Sequence, residues 1–437
     1  MSKQSLFKNV ASLGIMQIAN YALPLITVPI ISRIIGPDKF GVINYAASFM
    51  VYFNLLIAYG FDLTATRRIA KDPQNQELKN EVFSQVQSAK YILFFVSALL
   101  FAVCLFTVPL LATEKTVALC SFLICMGTVF TQNWLFQAMQ DLPRVAILNF
   151  FGKLIFTMLV IYLVKEKSDY IWQPLITGLV HILISLLTFF WAIKKYNLNF
   201  HFIGWSNVID VLLKERTVFF SIIVINLYTT TNIVVLGLLQ DESAVGFYTA
   251  GQKLVEVIGM VLLLPLSQSL FPVVGFAFSQ SRAHGIDVVQ RIVPVIVILT
   301  LGLIVAMYCI GPLFLLWFYG EKFLPAVTVF KVAAPIPMLL ALSNLFGIQV
   351  MLNLGMDKAF FKITAYGALF GFLLNVLMVN VFGYVGTAWN LLIVELYITL
   401  AMYVYLKRKG VDPINLSKFS FSEIKTQLKP LINKFLK

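Results

Sequence analysis

The chain has 437 residues, 59% of them hydrophobic and only 12% charged, with a formal net charge of +13 and a mean hydropathy of +0.87. A soluble domain usually carries about twice that charged fraction. Long apolar segments recur from one end to the other, which excludes a globular core with a single anchor.

A helix needs roughly 20 apolar residues to cross a bilayer. On that rule the sequence predicts an all-α polytopic membrane protein with about 12 transmembrane helices, at 10–35, 41–61, 88–112, 117–138, 146–164, 172–193, 217–239, 246–272, 291–314, 325–352, 359–380 and 384–406. A β-barrel would show alternating segments of about ten residues, which the pattern lacks. The first apolar run is long and has no small-residue cleavage site, so no cleavable signal peptide is expected.

Span 1 carries Pro24, Pro29 and Arg33 and joins span 2 through "ISRIIGPDKFGVINYAA". Cys104, Cys120, Cys125 and Cys309 all fall within spans, none with metal-ligand spacing to the three histidines, so they read as packing residues. No metal and no cofactor is expected. Lys153 lies about two turns into span 5. The stretch "KKYNLNFHFIGWSNVIDVLLKER" then separates six spans from six. It sets the expected organisation: an N-terminal six-helix lobe (1–193), a cytoplasmic linker (194–216), a C-terminal six-helix lobe (217–406) and a basic tail (407–437).

Spans 7 and 8 are joined by "VLGLLQDESAVGFYTAG", which echoes the first hairpin: a polar turn, a glycine (Gly41, Gly246), an aromatic and small residues. Span parity puts both turns on one side, as in a parallel repeat about the membrane normal. Span 8 holds Lys253 and Glu256, three residues apart and about 10 and 15 Å deep. Span 10 holds Lys331, with Pro335 and Pro337; span 12 holds Glu395. Prolines inside spans, Pro265 among them, remove internal hydrogen bonds and suit helices that bend. The tail places Phe421, Ile424, Leu428 and Leu431 on one helical face among lysines, which predicts an amphipathic helix on the anionic inner leaflet.

With both termini in the cytoplasm, 24 of the 33 basic residues fall on the cytoplasmic side and five on the other, which fixes that orientation. The net charge is thereby explained by orientation and lipid attraction, not nucleic acid. Six ionisable groups stay inside the spans: Arg33, Lys153, Lys253, Glu256, Lys331 and Glu395. Such groups are expensive in lipid and mark water-filled paths. Four are basic, so a cavity holding them attracts anions, and an amphiphile bearing phosphates suits it. For Lys253 and Glu256, mutual neutralisation at i,i+3 is the bland alternative; for Arg33 it is snorkelling to the interface. Amides and hydroxyls in the spans serve helix packing or sugar hydroxyls, with Trp134 and Tyr228 as rings on which a sugar could stack.

"LPLITVPIISRIIGPDKFG" and "NWLFQAMQDLPRVAILNFFGKLIFTMLVIYLVKEKSDY" resemble the polysaccharide-specific transporters, the O-antigen or lipid-linked oligosaccharide flippases of the multidrug/oligosaccharidyl-lipid/polysaccharide superfamily. The second stretch has the family's Trp134, Phe136 and Gln137, the span-5 Lys153 and the Asp169–Tyr170 pair. "NIVVLGLLQDESAVGFYTAGQKL" and "FYGEKFLPAVTVFKVAAPIPML" fit the second half. The resemblance implies two six-helix lobes forming a V-shaped central cavity that opens alternately to each side of a bacterial cytoplasmic membrane. It implies an undecaprenyl-diphosphate-linked glycan as substrate, with Arg33, Lys153, Lys253 and Lys331 as its binding residues and other polysaccharide-assembly proteins as partners. The chain departs from relatives at Ala138–Met139–Gln140 and Asn232, where a carboxylate is lost in each case.

With no phosphate-binding loop of the Gly-x-x-x-x-Gly-Lys type, energy is expected from an H+ or Na+ gradient, through Glu256 and Glu395, or from consumption of the product. Two alternatives stand beside the flippase. A multidrug or cation antiporter of the same superfamily would want a buried carboxylate in spans 1 and 2, which have none. A membrane-embedded glycan polymerase or transferase would need clustered carboxylates, yet Asp38, Asp169, Asp241, Glu242 and Glu321 are scattered in short turns. No enzymatic activity is expected.

Overall fold

The computed structural model describes residues 3–420; for residues 3–22, 24, 144, 224, 225, 227–229, 262, 264–269, 271 and 272 it describes the backbone course alone. The expected amphipathic helix of the tail lies outside the described residues. Apolar runs of this length have one way to satisfy their backbone polar groups in hydrocarbon, and that is helix. Fourteen α-helices follow in order: α1 (Lys3–Ala58), α2 (Phe61–Lys71), α3 (Gln76–Thr107), α4 (Pro109–Thr113), α5 (Lys115–Phe130), α6 (Asn133–Ala138), α7 (Leu142–Leu163), α8 (Trp172–Tyr196), α9 (Trp205–Leu239), α10 (Glu242–Gln280), α11 (Arg282–Tyr319), α12 (Ala326–Ala333), α13 (Ile336–Asn344) and α14 (Asp357–Arg408). A π-helical turn, Leu345–Met351, extends α13. No strand occurs among the described residues.

Eight helical stretches among the described residues are long and apolar enough to cross a membrane, judged by length and composition. Two of them hold a pair of expected spans each. α1 is interrupted at Gly36 (φ 76°, ψ 174°) and α14 at Gly383 (φ 58°, ψ −141°), backbone angles that glycine alone adopts at little cost. The turns between spans 1 and 2 and between spans 11 and 12 are therefore set by glycine. The prolines have less effect than expected: the helical assignment continues through Pro29 and through Pro294 and Pro312, and the break in the tenth expected span falls at Ala334–Pro335.

The chain divides into two compact units, Met1–Gly246 and Phe247–Lys437. In the first, α5 packs on α8, α7 on α1 and α8, and α9 on α1 and α3. At one end of this unit, Phe61, Phe83, Trp134, Phe136 and Phe189 form a buried cluster, Phe136 stacking on Trp191 with ring centroids 4.8 Å apart. Trp134 is fully buried there, so the expectation that it offers a face to a sugar is corrected: its ring is consumed by packing. In the second unit α14 packs against α12 and α13. Within α14, Gly367 meets Ile398 and Gly371 meets Val394, so the two halves run antiparallel with small residues at the seam.

Candidate functional site

Of the six ionisable groups expected inside the membrane, Arg33 and Lys153 belong to the first unit and Lys253, Glu256, Lys331 and Glu395 to the second. Arg33 is exposed, one turn before the break at Gly36. Lys153 is half-buried on α7 and lines a cavity of about 380 Å³ enclosed by α1, α7 and α8. Thr27, Asn149, Thr157, Gln173, Thr177 and His181 give this cavity its other polar groups, and Arg33 does not reach it.

Positions in this unit are held tightly. The Gly127 backbone of α5 has room for no side chain, because a Cβ there would meet the His181 ring at 2.3 Å. Gly152 is likewise closed by Ile184, at 2.8 Å. Thr177 donates to the Gln173 carbonyl (2.7 Å) and Thr27 to that of Leu23 (3.1 Å). Gln173 Oε1 and Thr157 Oγ1 are buried with no hydrogen-bond partner among the described residues. An orphaned polar atom costs about 1–3 kcal/mol.

In the second unit, α10 and α12–α13 are locked side by side. A Cβ on Gly251 would meet Ala326 O and Val329 Cβ at 2.8 Å, and one on Gly259 would meet Pro337 at 3.2 Å. The two contacts share one offset, and the same offset brings Lys331 level with Lys253. Lys253, Glu256 and Lys331 are all exposed within this unit. The fold thus gathers two lysines and one glutamate that the sequence separates. The Lys331 carbonyl, at the broken end of α12, accepts from Tyr308 (2.9 Å).

Glu395 stands apart from them. It is buried (3% exposed) and forms no ion pair among the described residues. One turn on, Thr399 donates to the Leu339 carbonyl (3.2 Å), so α13 packs at this level. The antiparallel register of α14 also sets Asn375 opposite Asn390, both fully buried.

Sequence reasoning missed Lys90 and His181. Lys90, placed on the cytoplasmic side by parity, is buried and donates to the carbonyls of Thr128 (3.3 Å) and Thr131 (2.7 Å), where α5 ends. Gln132 reaches Gln87 at 3.0 Å beside it. Helix-breaking residues gave no sign of that end, since "TVFTQNW" contains neither Gly nor Pro. His181 sits in a continuous apolar run and lacked a partner at helical spacing. No cluster of metal-ligating side chains occurs among the described residues.

Membrane-crossing helices in this number, with a few ionisable groups grouped by the fold and no cluster of reactive side chains, define a polytopic membrane transporter and not an enzyme. Solved structures with this fold agree. The lipid II flippase MurJ in an inward closed conformation superposes with a TM-score of 0.70 at 13% identity, covering 96% of this chain and 92% of that one. An inward-facing multidrug resistance MATE family transporter of the MOP superfamily gives 0.64 at 11% identity, covering 92% and 98%. The chain belongs to the polysaccharide biosynthesis protein family, whose profile matches residues 6–278. It is 26% identical over 408 residues to a protein of Escherichia coli (strain K12) named "Putative O-antigen transporter", covering 93% of this chain and 98% of that protein. A Shigella dysenteriae protein of the same name is 24% identical over 410 residues, covering 92% and 100%.

Proposed function

We propose that this protein is a flippase that moves an undecaprenyl-diphosphate-linked oligosaccharide from the cytoplasmic to the outer leaflet of a bacterial cytoplasmic membrane. The two expected six-helix lobes alternate access to the substrate, and both termini lie in the cytoplasm. The observation that carries this reading is the pair Lys253 and Lys331, level with one another and exposed on α10 and α12. Two ammonium groups at one depth suit a diphosphate, which presents oxyanions on adjacent phosphorus atoms. Glu256, one turn along α10, offsets part of that charge so that the head group can also leave. Lys153 serves the anionic substrate from the first unit, and Arg33 serves it near the end of span 1. Glu395, a carboxylate buried away from the lysines, is the site that senses H+ or Na+. A cation antiporter is disfavoured by the first unit, where no carboxylate lines the cavity.

The test is transbilayer movement of an undecaprenyl-diphosphate-linked oligosaccharide in proteoliposomes, with an imposed ion gradient. The parent moves the lipid, and Lys253→Ala loses most of that movement. Should Lys253→Ala fail while Lys253→Ala with Glu256→Ala recovers, the lysine only neutralises its neighbour. Should the parent move no lipid-linked sugar of its own repeat-unit type, the flippase reading is wrong.

A further inference from the structure

The cavity inside the first unit has a chemistry of its own. Its polar groups are one ammonium (Lys153), one imidazole (His181), two amides (Asn149, Gln173) and hydroxyls including Thr157, with no Asp or Glu in its lining. Leu23, Val28, Ile31, Phe156, Val180 and Ile184 supply apolar wall. At about 380 Å³ it falls within the range of small-molecule sites, which are mostly apolar with a few convergent polar groups. Water is not the natural filling of such a wall, yet Gln173 Oε1 and Thr157 Oγ1 lie buried beside it with no partner among the described residues. The hydroxyl can donate to an oxyanion, and so can the Gln173 amide nitrogen and either ring nitrogen of His181 when it carries the proton. The imidazole is held by the bare Gly127 backbone, not by a hydrogen bond from any described residue. Its edge is left for a ligand.

We infer that this cavity is a binding site for a compact oxyanion with an apolar body, held by Lys153 and His181 and oriented by Asn149, Gln173 and Thr157. The anion has two plausible sources of one chemistry: the phosphate of a prenyl lipid or the carboxylate of an acidic sugar. The site deepens the flippase reading by adding a station within one unit, but its existence does not depend on transport.

The experiment uses the full-length protein in nanodiscs of neutral lipid, titrated calorimetrically with sodium pyrophosphate, sodium glucuronate and undecaprenyl phosphate. At least one probe binds saturably, and which one binds identifies the source. Lys153→Gln weakens that probe about ten-fold and His181→Gln several-fold, as expected for removal of charge-assisted hydrogen bonds. Thr157→Val is near-isosteric and removes an orphaned hydroxyl, so it weakens the probe without lowering the melting temperature. Gly127→Ala weakens it too, by pushing the imidazole aside. The inference is overturned if no probe binds, or if the affinity is the same in Lys153→Gln, His181→Gln and Thr157→Val. A parent that binds a probe but moves no lipid-linked sugar leaves this site standing and removes only the flippase reading. A parent that moves the lipid but binds none of the probes does the reverse.

Discussion

Gly41 and Gly246 lie against each other so closely that neither has room for a side chain. A Cβ at Gly41 would sit 1.8 Å from the Glu242 carbonyl oxygen and 2.8 Å from Gly246 N; one at Gly246 would sit 2.0 Å from the Pro37 carbonyl. These are the glycines at matching places in the two hairpin motifs, so the echo in the sequence is a reciprocal packing contact: each glycine lies under the turn that precedes the other. Close backbone approach of this kind lets helices associate in lipid, where no hydrophobic force draws them together.

Gly41→Ala is therefore expected to destabilise the protein by about 1–3 kcal/mol, since the atoms in the way are backbone. Gly302→Ala, on α11 with nothing within 4 Å, is the control and leaves stability unchanged. Melting temperatures in detergent decide this. Equal effects at both sites would show that the 41–246 contact is loose.

If Lys253 and Lys331 hold one diphosphate, their effects are coupled. Each alanine substitution lowers transport about ten-fold or more, and the double variant falls short of the product of the two, as groups sharing a partner do. Initial rates in proteoliposomes measure the coupling. Strictly multiplicative losses would mean that the two lysines act on separate features of the substrate.

Glu395→Gln keeps the shape of the side chain and removes its charge. Because this carboxyl is buried without an ion pair among the described residues, the change leaves stability equal or higher. Transport is expected to persist and to lose its acceleration by an imposed H+ or Na+ gradient. A variant that still responds fully to the gradient removes Glu395 from the coupling scheme.

At the turn after span 5, Tyr170 donates to Glu114 Oε2 (2.7 Å), while Lys39 pairs with Oε1 of the same carboxylate and lies 4.6 Å over the tyrosine ring. Lys167 pairs with Asp38 at 2.7 Å. Tyr170→Phe removes one hydrogen bond and costs about 1 kcal/mol. Glu114→Gln takes the carboxylate charge from both partners and costs more. A double-mutant cycle by thermal unfolding shows coupling between 114 and 170; independent effects would dissolve the cluster into separate surface contacts.

The sequence by itself determined that the chain is helical and polytopic, because hydrocarbon forces every long apolar run to satisfy its own backbone, and run length is legible one residue at a time. It also exposed which charges stay inside, since a lysine within 20 apolar residues is conspicuous. It could not show that Lys253 and Lys331 share a level, which the offset of Gly251 on Val329 and Gly259 on Pro337 decides. Nor could it show that Lys90 caps a helix end, or that His181 meets Lys153 across a cavity. Such groupings depend on which face each helix turns to its neighbour, and in lipid both faces read as apolar. Only the packing of small residues, glycine against backbone, fixed those faces.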